Sequence, residues 1–190
     1  MDQARTISVD DAELVRLAQL DPATFAPLYR RYFDPVYRYC RRRLANDDSA
    51  ADATGLIFAR ALAALSTCRP ETFRPWLFTI ARNVVTDSHR ARRPDAPLDA
   101  AIQVVDPARS PEEVVLRREE QGALHHLLRR LPADQRQVVE LRLSGLSGME
   151  IAQTLGKSRA AVDVAQYRAV SRLRSLLTEQ TEPKGHDTDA

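Results

Sequence analysis

The sequence predicts an all-α protein built from two small helical domains and a flexible linker between them. Large apolar residues recur at three- and four-residue spacings along most of the 190-residue chain, which is the period of an amphipathic helix. One long segment, residues 94–111, breaks this pattern with four prolines and scattered aspartates. No segment shows the alternation of apolar and polar residues that is typical of a strand.

The first domain is predicted over residues 10–93. Its first apolar face covers residues 25–40. Within this face, Asp34-Pro35 has the form of a helix start, because aspartate caps helices and proline suits the first helical turn. We therefore expect Pro35 to divide or kink the face. A second helix is expected over about residues 49–65 and a third over residues 73–85.

The second domain is predicted over residues 112–178, after the proline-rich linker. Its helices carry closely spaced leucines and valines, and Gly145 marks the end of one of them. The last segment, residues 179–190, is polar and lacks periodicity, so we expect a disordered tail.

A helix-turn-helix is predicted near the end of this second domain. Ser147 and Glu150 have the spacing of a capping box at the start of a short helix. Gly156 suits the turn that follows, and Ser158 is a candidate cap for a second helix. An ordinary helical hairpin without a DNA role is the alternative interpretation.

The outer side of this second helix carries basic and polar side chains that could reach bases and phosphates in a major groove. The candidate DNA-binding residues are Lys157, Ser158, Arg159, Gln166, Arg168 and Arg172.

Composition and charge limit the classes of function that this chain could have. The net charge is only +2, but arginines cluster at residues 30–43 and 82–93, where they could bind phosphates or form a solvated basic face. No glycine-rich phosphate loop, metal-ligand set or nucleophile–base pair is evident, so we expect no enzyme, cofactor or metal. The two cysteines are far apart and no run is long enough to span a membrane, which favours the cytoplasm.

Motifs in both halves of the chain resemble the sigma-70 family of transcription initiation factors, specifically its extracytoplasmic-function group. The promoter-reading end of region two is similar to Trp76-Leu77-Phe78, Ile80-Ala81-Arg82-Asn83, Asp87 and Arg90. Region four is similar to Leu131-Pro132, Gly145-Leu146-Ser147, Glu150-Ile151-Ala152, Leu155-Gly156 and Arg168-Ala169. The order of the halves, with no third domain between them, makes the resemblance specific.

This resemblance implies a region-two bundle that binds core RNA polymerase and holds the opened minus-ten element. It also implies a region-four helix-turn-helix that reads the minus-thirty-five element. The implied minus-ten residues are Arg74, Arg82, Asn83, Arg90, Arg92 and Arg93. The implied polymerase-binding residues are Asp52, Gly55, Leu56 and Phe58.

Further partners implied by the resemblance are promoter DNA and an anti-sigma factor, with no membrane insertion. Trp76 and Phe78 could stack on bases, although their helical spacing favours the core.

The chain departs from the family pattern at two sites. Ala51, Gly55 and Leu56 stand where polar side chains normally meet the polymerase, and they leave open an alternative function: a sigma-like DNA-binding regulator whose polymerase docking is weak or lost. Asp163 and Val164 stand where a basic residue and a serine are typical, so the resemblance does not predict which promoter sequence is preferred.

Overall fold

A computed structural model describes residues 10–44, 46–91 and 122–181, and within these ranges all regular structure is helical. The helices are α1 (Asp11–Leu20), α2 (Ala26–Arg43), α3 (Asp47–Ala63), α4 (Phe73–Ala91), α5 (helical over 122–129), α6 (Ala133–Leu143), α7 (Gly148–Leu155) and α8 (Arg159–Thr181). The all-α prediction is confirmed. The predicted linker lies outside the described residues, as do residues 182–190 of the predicted tail. The prediction of a disordered tail is wrong for residues 179–181, because α8 continues to Thr181.

Pro35 does not divide the first apolar face, because α2 continues through it. A proline inside a helix removes one backbone hydrogen bond and costs about 3 kcal/mol. The opposing contribution is the burial of one continuous stripe. Its residues are Leu28, Tyr32, Val36, Tyr39 and Cys40, none more than 3% exposed. Tertiary packing of this stripe therefore outweighs the local stop signal.

Helix α3 begins two residues earlier than the sequence pattern indicates. The Asn46 side chain accepts the backbone N–H of Ser49 at 2.9 Å, so Asn46 is the cap and Asp47 the first helical residue. Aspartates at positions 47 and 48 then lie at the positive end of the helix dipole. Helix α3 packs between α2 and α4 and completes the first bundle.

The two halves of the chain pack against each other and share a continuous apolar core. Helix α7 lies against α4, and α6 lies against α2. Trp76 and Leu155 are half-buried beside this shared core, and the Thr154 hydroxyl donates to the carbonyl of Pro75 at 3.3 Å. The described residues therefore form a closed arrangement of the two halves.

A buried ion pair crosses the contact between α2 and α6. The Arg43 guanidinium donates to the Glu140 carboxylate at 2.7 Å, and the two side chains are 9% and 1% exposed. Beside it, Arg42 donates to the backbone carbonyl of Glu140 at 3.3 Å and to the Ser144 hydroxyl at 2.6 Å. Two consecutive arginines of the first half of the chain therefore donate hydrogen bonds to polar groups of the second half.

No helix among the described residues is both long enough and apolar enough to cross a membrane.

Replacing Arg43 with methionine should destabilise the protein by about 3–5 kcal/mol at neutral pH, because Glu140 then keeps a buried charge without its closest partner. Burial already raises the pKa of Glu140, and Arg43 is the largest factor that opposes it. Without Arg43 that pKa rises further above its unfolded value. The loss of unfolding free energy caused by Arg43→Met should therefore become smaller as the pH falls from 7 towards 5, because protonated Glu140 needs no counter-charge.

Urea unfolding across this pH range measures the difference between Arg43→Met and the wild type. The matched control is Arg38→Met on the same helix, whose pair with Asp34 is exposed and should contribute at most about 1 kcal/mol. Equal effects of the two substitutions would contradict a buried, structurally important pair.

Candidate nucleic-acid interface

The predicted helix-turn-helix is formed by α7, a sharp turn and α8. Ser147 and Glu150 exchange two hydrogen bonds, 3.3 Å from the Glu150 N–H to the serine hydroxyl and 2.7 Å from the Ser147 N–H to the carboxylate. This capping box starts α7. Gly156 ends it at φ 62°, a left-handed conformation that favours glycine. Ser158 then accepts the N–H of Ala161 at 3.2 Å and caps α8.

Helix α8 has a buried face and an outward face. Val162, Ala165 and Ala169 are at most 8% exposed, and they lie on the face towards α6 and α7. Five of the six predicted residues have exposed side chains, namely Lys157, Ser158, Arg159, Arg168 and Arg172.

Gln166 is the exception on α8, because its side chain is half-buried and engaged within the protein. Its Oε1 accepts hydrogen bonds from Nε and Nη2 of Arg142, at 3.3 and 2.8 Å. Arg142 also donates to the carbonyl of Leu146 at 3.0 Å. This network ties α8 to α6 and to the loop before α7, so Gln166 supports the domain in this structure.

Tyr167 was not among the DNA-binding residues predicted from the sequence. Its side chain is 78% exposed near the middle of the outward face, beside Val164 at 49%. The signal was present in the sequence, since Tyr167 stands opposite the buried Ala165 and Ala169 in the 3.6-residue period. The prediction considered only basic and polar side chains and therefore missed this exposed aromatic ring.

Helix α4 presents part of the predicted minus-ten set. Asn83 and Arg90 are exposed and Arg82 is half-buried. Phe78 is fully buried, with its ring edge-on to Tyr39 at 5.7 Å, which is the core position that its spacing favoured. Arg92 and Arg93 lie outside the described residues.

Arg74 faces the second domain in this structure. Its Nε donates to the Tyr32 hydroxyl at 3.3 Å, and its Nη1 lies 3.5 Å from the Gly145 carbonyl and 3.6 Å from the Glu150 carboxylate. Burial, followed by a hydrogen bond to Asp11, raises the pKa of Tyr32 to about 12, so Tyr32 stays a neutral phenol. Arg74 therefore bridges the halves at the start of the helix-turn-helix.

The arginine-rich stretch of α2 is largely paired within the protein. Arg31 contacts Asp11, Arg41 contacts Asp47, and Arg38 pairs with Asp34 one turn away. The neighbouring Arg42 and Arg43 belong to the contact with α6 already described. Much of the charge that suggested phosphate binding therefore serves structural pairing.

The predicted polymerase-docking residues on α3 divide into two groups. Asp52, Gly55 and Leu56 are exposed, with Leu56 at 44%. Phe58 is only 5% exposed, and its ring centroid lies 6.5 Å from that of Phe25 and 4.7 Å from that of Tyr29. In this structure Phe58 is a core residue beneath the exposed surface of α3.

These elements define a two-domain helical DNA-binding protein, in which a helix-turn-helix packs on a separate helical bundle. Comparison with known families agrees with this description. Sigma-70 region 2 matches residues 28–94, and Sigma-70, region 4 matches residues 121–173.

The chain is also similar to characterised proteins and to a solved structure. It is 39% identical to the ECF RNA polymerase sigma factor BldN of Streptomyces coelicolor, over 88% of this chain and 66% of BldN. It is 36% identical to the ECF RNA polymerase sigma factor ShbA of Streptomyces griseus, over 73% of this chain and 80% of ShbA. The structure of CnrH in complex with the cytosolic domain of CnrY matches with a TM-score of 0.73 and 26% identity, over 90% of this chain and 99% of CnrH.

The chain belongs to the extracytoplasmic-function sigma factors of the sigma-70 family, which direct promoter-specific transcription initiation by RNA polymerase.

Replacing Gln166 with alanine should lower stability by about 0.5–1.5 kcal/mol, because Arg142 loses a hydrogen-bond acceptor. The preference for minus-thirty-five sequences should stay unchanged, since Gln166 faces α6. Urea unfolding and selection from a duplex library with a randomised minus-thirty-five element measure the two effects. Arg168→Ala is the contrasting variant and should lose about 1–3 kcal/mol of affinity if Arg168 contacts a guanine. A changed base preference in Gln166→Ala would place Gln166 among the DNA-reading residues.

Proposed function

We propose that this chain is a dissociable specificity subunit of RNA polymerase that acts in the cytoplasm and catalyses no reaction of its own. The observation that carries the proposal is the combination, in one chain, of the exposed outward face of α8 in a helix-turn-helix with a second exposed face on α4 that carries Asn83 and Arg90. The alternative, a regulator that has lost polymerase docking, is not favoured, since BldN and ShbA are themselves polymerase sigma factors.

We propose a different binding function for each half of the chain. We assign polymerase and minus-ten binding to residues 10–93 and minus-thirty-five binding to residues 112–178. Residues 94–111 would then connect the domains, and the segment after α8, which ends at Thr181, would form a tail outside both.

Polymerase docking is assigned to the exposed face of α3. A Cβ atom added at Gly55 would contact nothing within 4 Å, so the fold itself does not require glycine there. Glycine instead leaves room for a partner to approach the helix closely. The adjacent Leu56 offers an exposed apolar side chain and Asp52 a charge, which together suit a docking face with an apolar centre.

Minus-ten recognition is assigned to Asn83, Arg82 and Arg90 on α4, together with Arg92 and Arg93. The Asn83 amide can both donate to and accept from the edge of an unstacked base, and the arginines can hold the adjacent phosphates. Stacking and edge contacts of this kind offset part of the cost of unstacking a base.

The closed arrangement must open for this function. The minus-ten and minus-thirty-five elements are separated by about 25 base pairs, or roughly 85 Å of duplex at about 3.4 Å per base pair. A compact chain of this length is only about 40 Å across. Promoter binding by both domains therefore requires the contacts of α2 with α6 and of α4 with α7 to break.

A protein partner that holds the closed form is part of the proposal. CnrH, which has a similar fold, was solved with the cytosolic domain of CnrY. By analogy, we propose that an anti-sigma factor binds this chain and keeps it from the polymerase.

The function is tested by mixing the purified chain with bacterial core RNA polymerase and measuring binding and promoter-specific transcripts. Binding with new transcripts is the expected result. Leu56→Arg should weaken polymerase binding at least about fivefold if Leu56 is central to the interface. Leu20→Arg, at an 86% exposed position on α1, is the matched control. DNA binding without polymerase binding would instead support the regulator.

Asn83→Ala should impair promoter opening more than duplex binding, since Asn83 is assigned to a base that is extruded only on opening. Permanganate footprinting of the minus-ten element and gel-shift affinity measure the two steps separately. Arg168→Ala, on the other DNA-reading helix, should show the reverse pattern. Equal losses in both assays for Asn83→Ala would argue against a pocket for a flipped base.

A further inference from the structure

Asp163 is an acidic side chain on the helix that should face DNA. A carboxylate in this position would repel phosphates, yet Asp163 is half-exposed near the start of α8. Its contacts suggest a different role. Both carboxylate oxygens accept the Nε–H of Arg159, at 2.9 and 3.0 Å.

A second observation fixes the same arginine from the other side. The guanidinium of Arg159 lies over Gly148, the first residue of α7, so closely that a Cβ atom there would come within 2.4 Å of Cζ, 2.6 Å of Nη1 and 2.7 Å of Nε. Any side chain at position 148 would therefore require the guanidinium to move. Arg159 is therefore held between Asp163 on its own helix and the beginning of α7.

This position suits base reading. The amino-terminal residues of a recognition helix contact base edges in the major groove, and Arg159 is the first residue of α8. Asp163 engages only Nε, and the two terminal nitrogens of Arg159 have no hydrogen-bond partner within the part of the chain that the structure describes. Two parallel N–H donors match O6 and N7 of guanine.

We propose that Asp163 is a positioning residue, which orients Arg159 for bidentate contact with a guanine of the minus-thirty-five element, and that Gly148 provides the space for this conformation. The inference rests on the proposed function and specifies how α8 reads its site. The Arg159–Asp163 pair is exposed, at 47% and 51%, so its contribution to stability is small. The effect of the pair is to orient the Arg159 guanidinium.

The test uses polymerase holoenzyme and a duplex library randomised over the minus-thirty-five element. The wild type should select a guanine at one position. Arg159→Ala and Asp163→Ala should each lose this preference, with affinity for the selected duplex lowered about 5- to 150-fold, the range of one bidentate base contact. The double variant should lose no more than Arg159→Ala, because Asp163 acts through Arg159.

Gly148→Ala separates positioning from a structural effect. Its Cβ should displace the guanidinium and reduce the guanine preference, while alanine favours helix over glycine and should not lower the unfolding midpoint. In the Arg159→Ala background it should have no further effect on binding. Gly122→Ala is the matched control, since a Cβ there contacts nothing within 4 Å.

Three results would overturn the inference. Stronger binding of Asp163→Ala to all sequences would mean that the carboxylate only repels phosphate. A change of preference caused by Asp163→Ala in the Arg159→Ala background would mean that Asp163 reads a base directly. A uniform loss in Arg159→Ala, with a smaller salt dependence, would mean a phosphate contact. Failure of the proposed function is distinct, because the wild-type holoenzyme would then select no sequence and make no transcript.

Discussion

The pair of Arg43 and Glu140 joins the two halves of this protein at a place where both side chains are largely removed from water, at 9% and 1% exposed. Its electrostatic gain is offset by the cost of removing two charges from solvent, and burial accordingly raises the pKa of Glu140. Either charge left alone in this place is unfavourable. The pair therefore favours the docking of α2 on α6 in which both charges are matched, whereas the surrounding apolar contacts supply most of the attraction.

The closed geometry engages part of the surface that the family resemblance implies for promoter DNA. Arg74 is assigned by family resemblance to the minus-ten element, yet it contacts the carbonyl of Gly145 and lies near Glu150. Helix α7 covers the beginning of α4, while Asn83 and the outward face of α8 remain exposed. Separation of the halves would release Arg74 for DNA and leave Glu140 with water in place of Arg43. The energetic cost of opening would have to be met by polymerase and promoter contacts.

The sequence was sufficient for most of the helices and for the helix-turn-helix, because these depend on local signals, whereas α1 (Asp11–Leu20) was not predicted. Two of these signals involve only neighbouring residues: the capping box of Ser147 and Glu150, and the left-handed conformation of Gly156. Pro35 shows the limit of local rules, since a long buried stripe kept α2 intact. Side-chain partners from distant parts of the chain were beyond sequence reasoning. The sequence separation is 97 residues between Arg43 and Glu140, and 24 residues between Arg142 and Gln166. The periodicity of the sequence does not predict such distant pairs.

The most direct test of this account is the distance between the two halves in the free protein and in the polymerase holoenzyme. Spin labels at Ala23→Cys and Gln153→Cys, both at exposed positions, would report it by pulsed electron resonance. We expect a short, narrow distribution of distances in the free protein, within the roughly 40 Å span of a compact chain. In the holoenzyme the distance should increase by tens of ångströms. The same distribution in both states would contradict the claim that a closed contact must open for promoter binding.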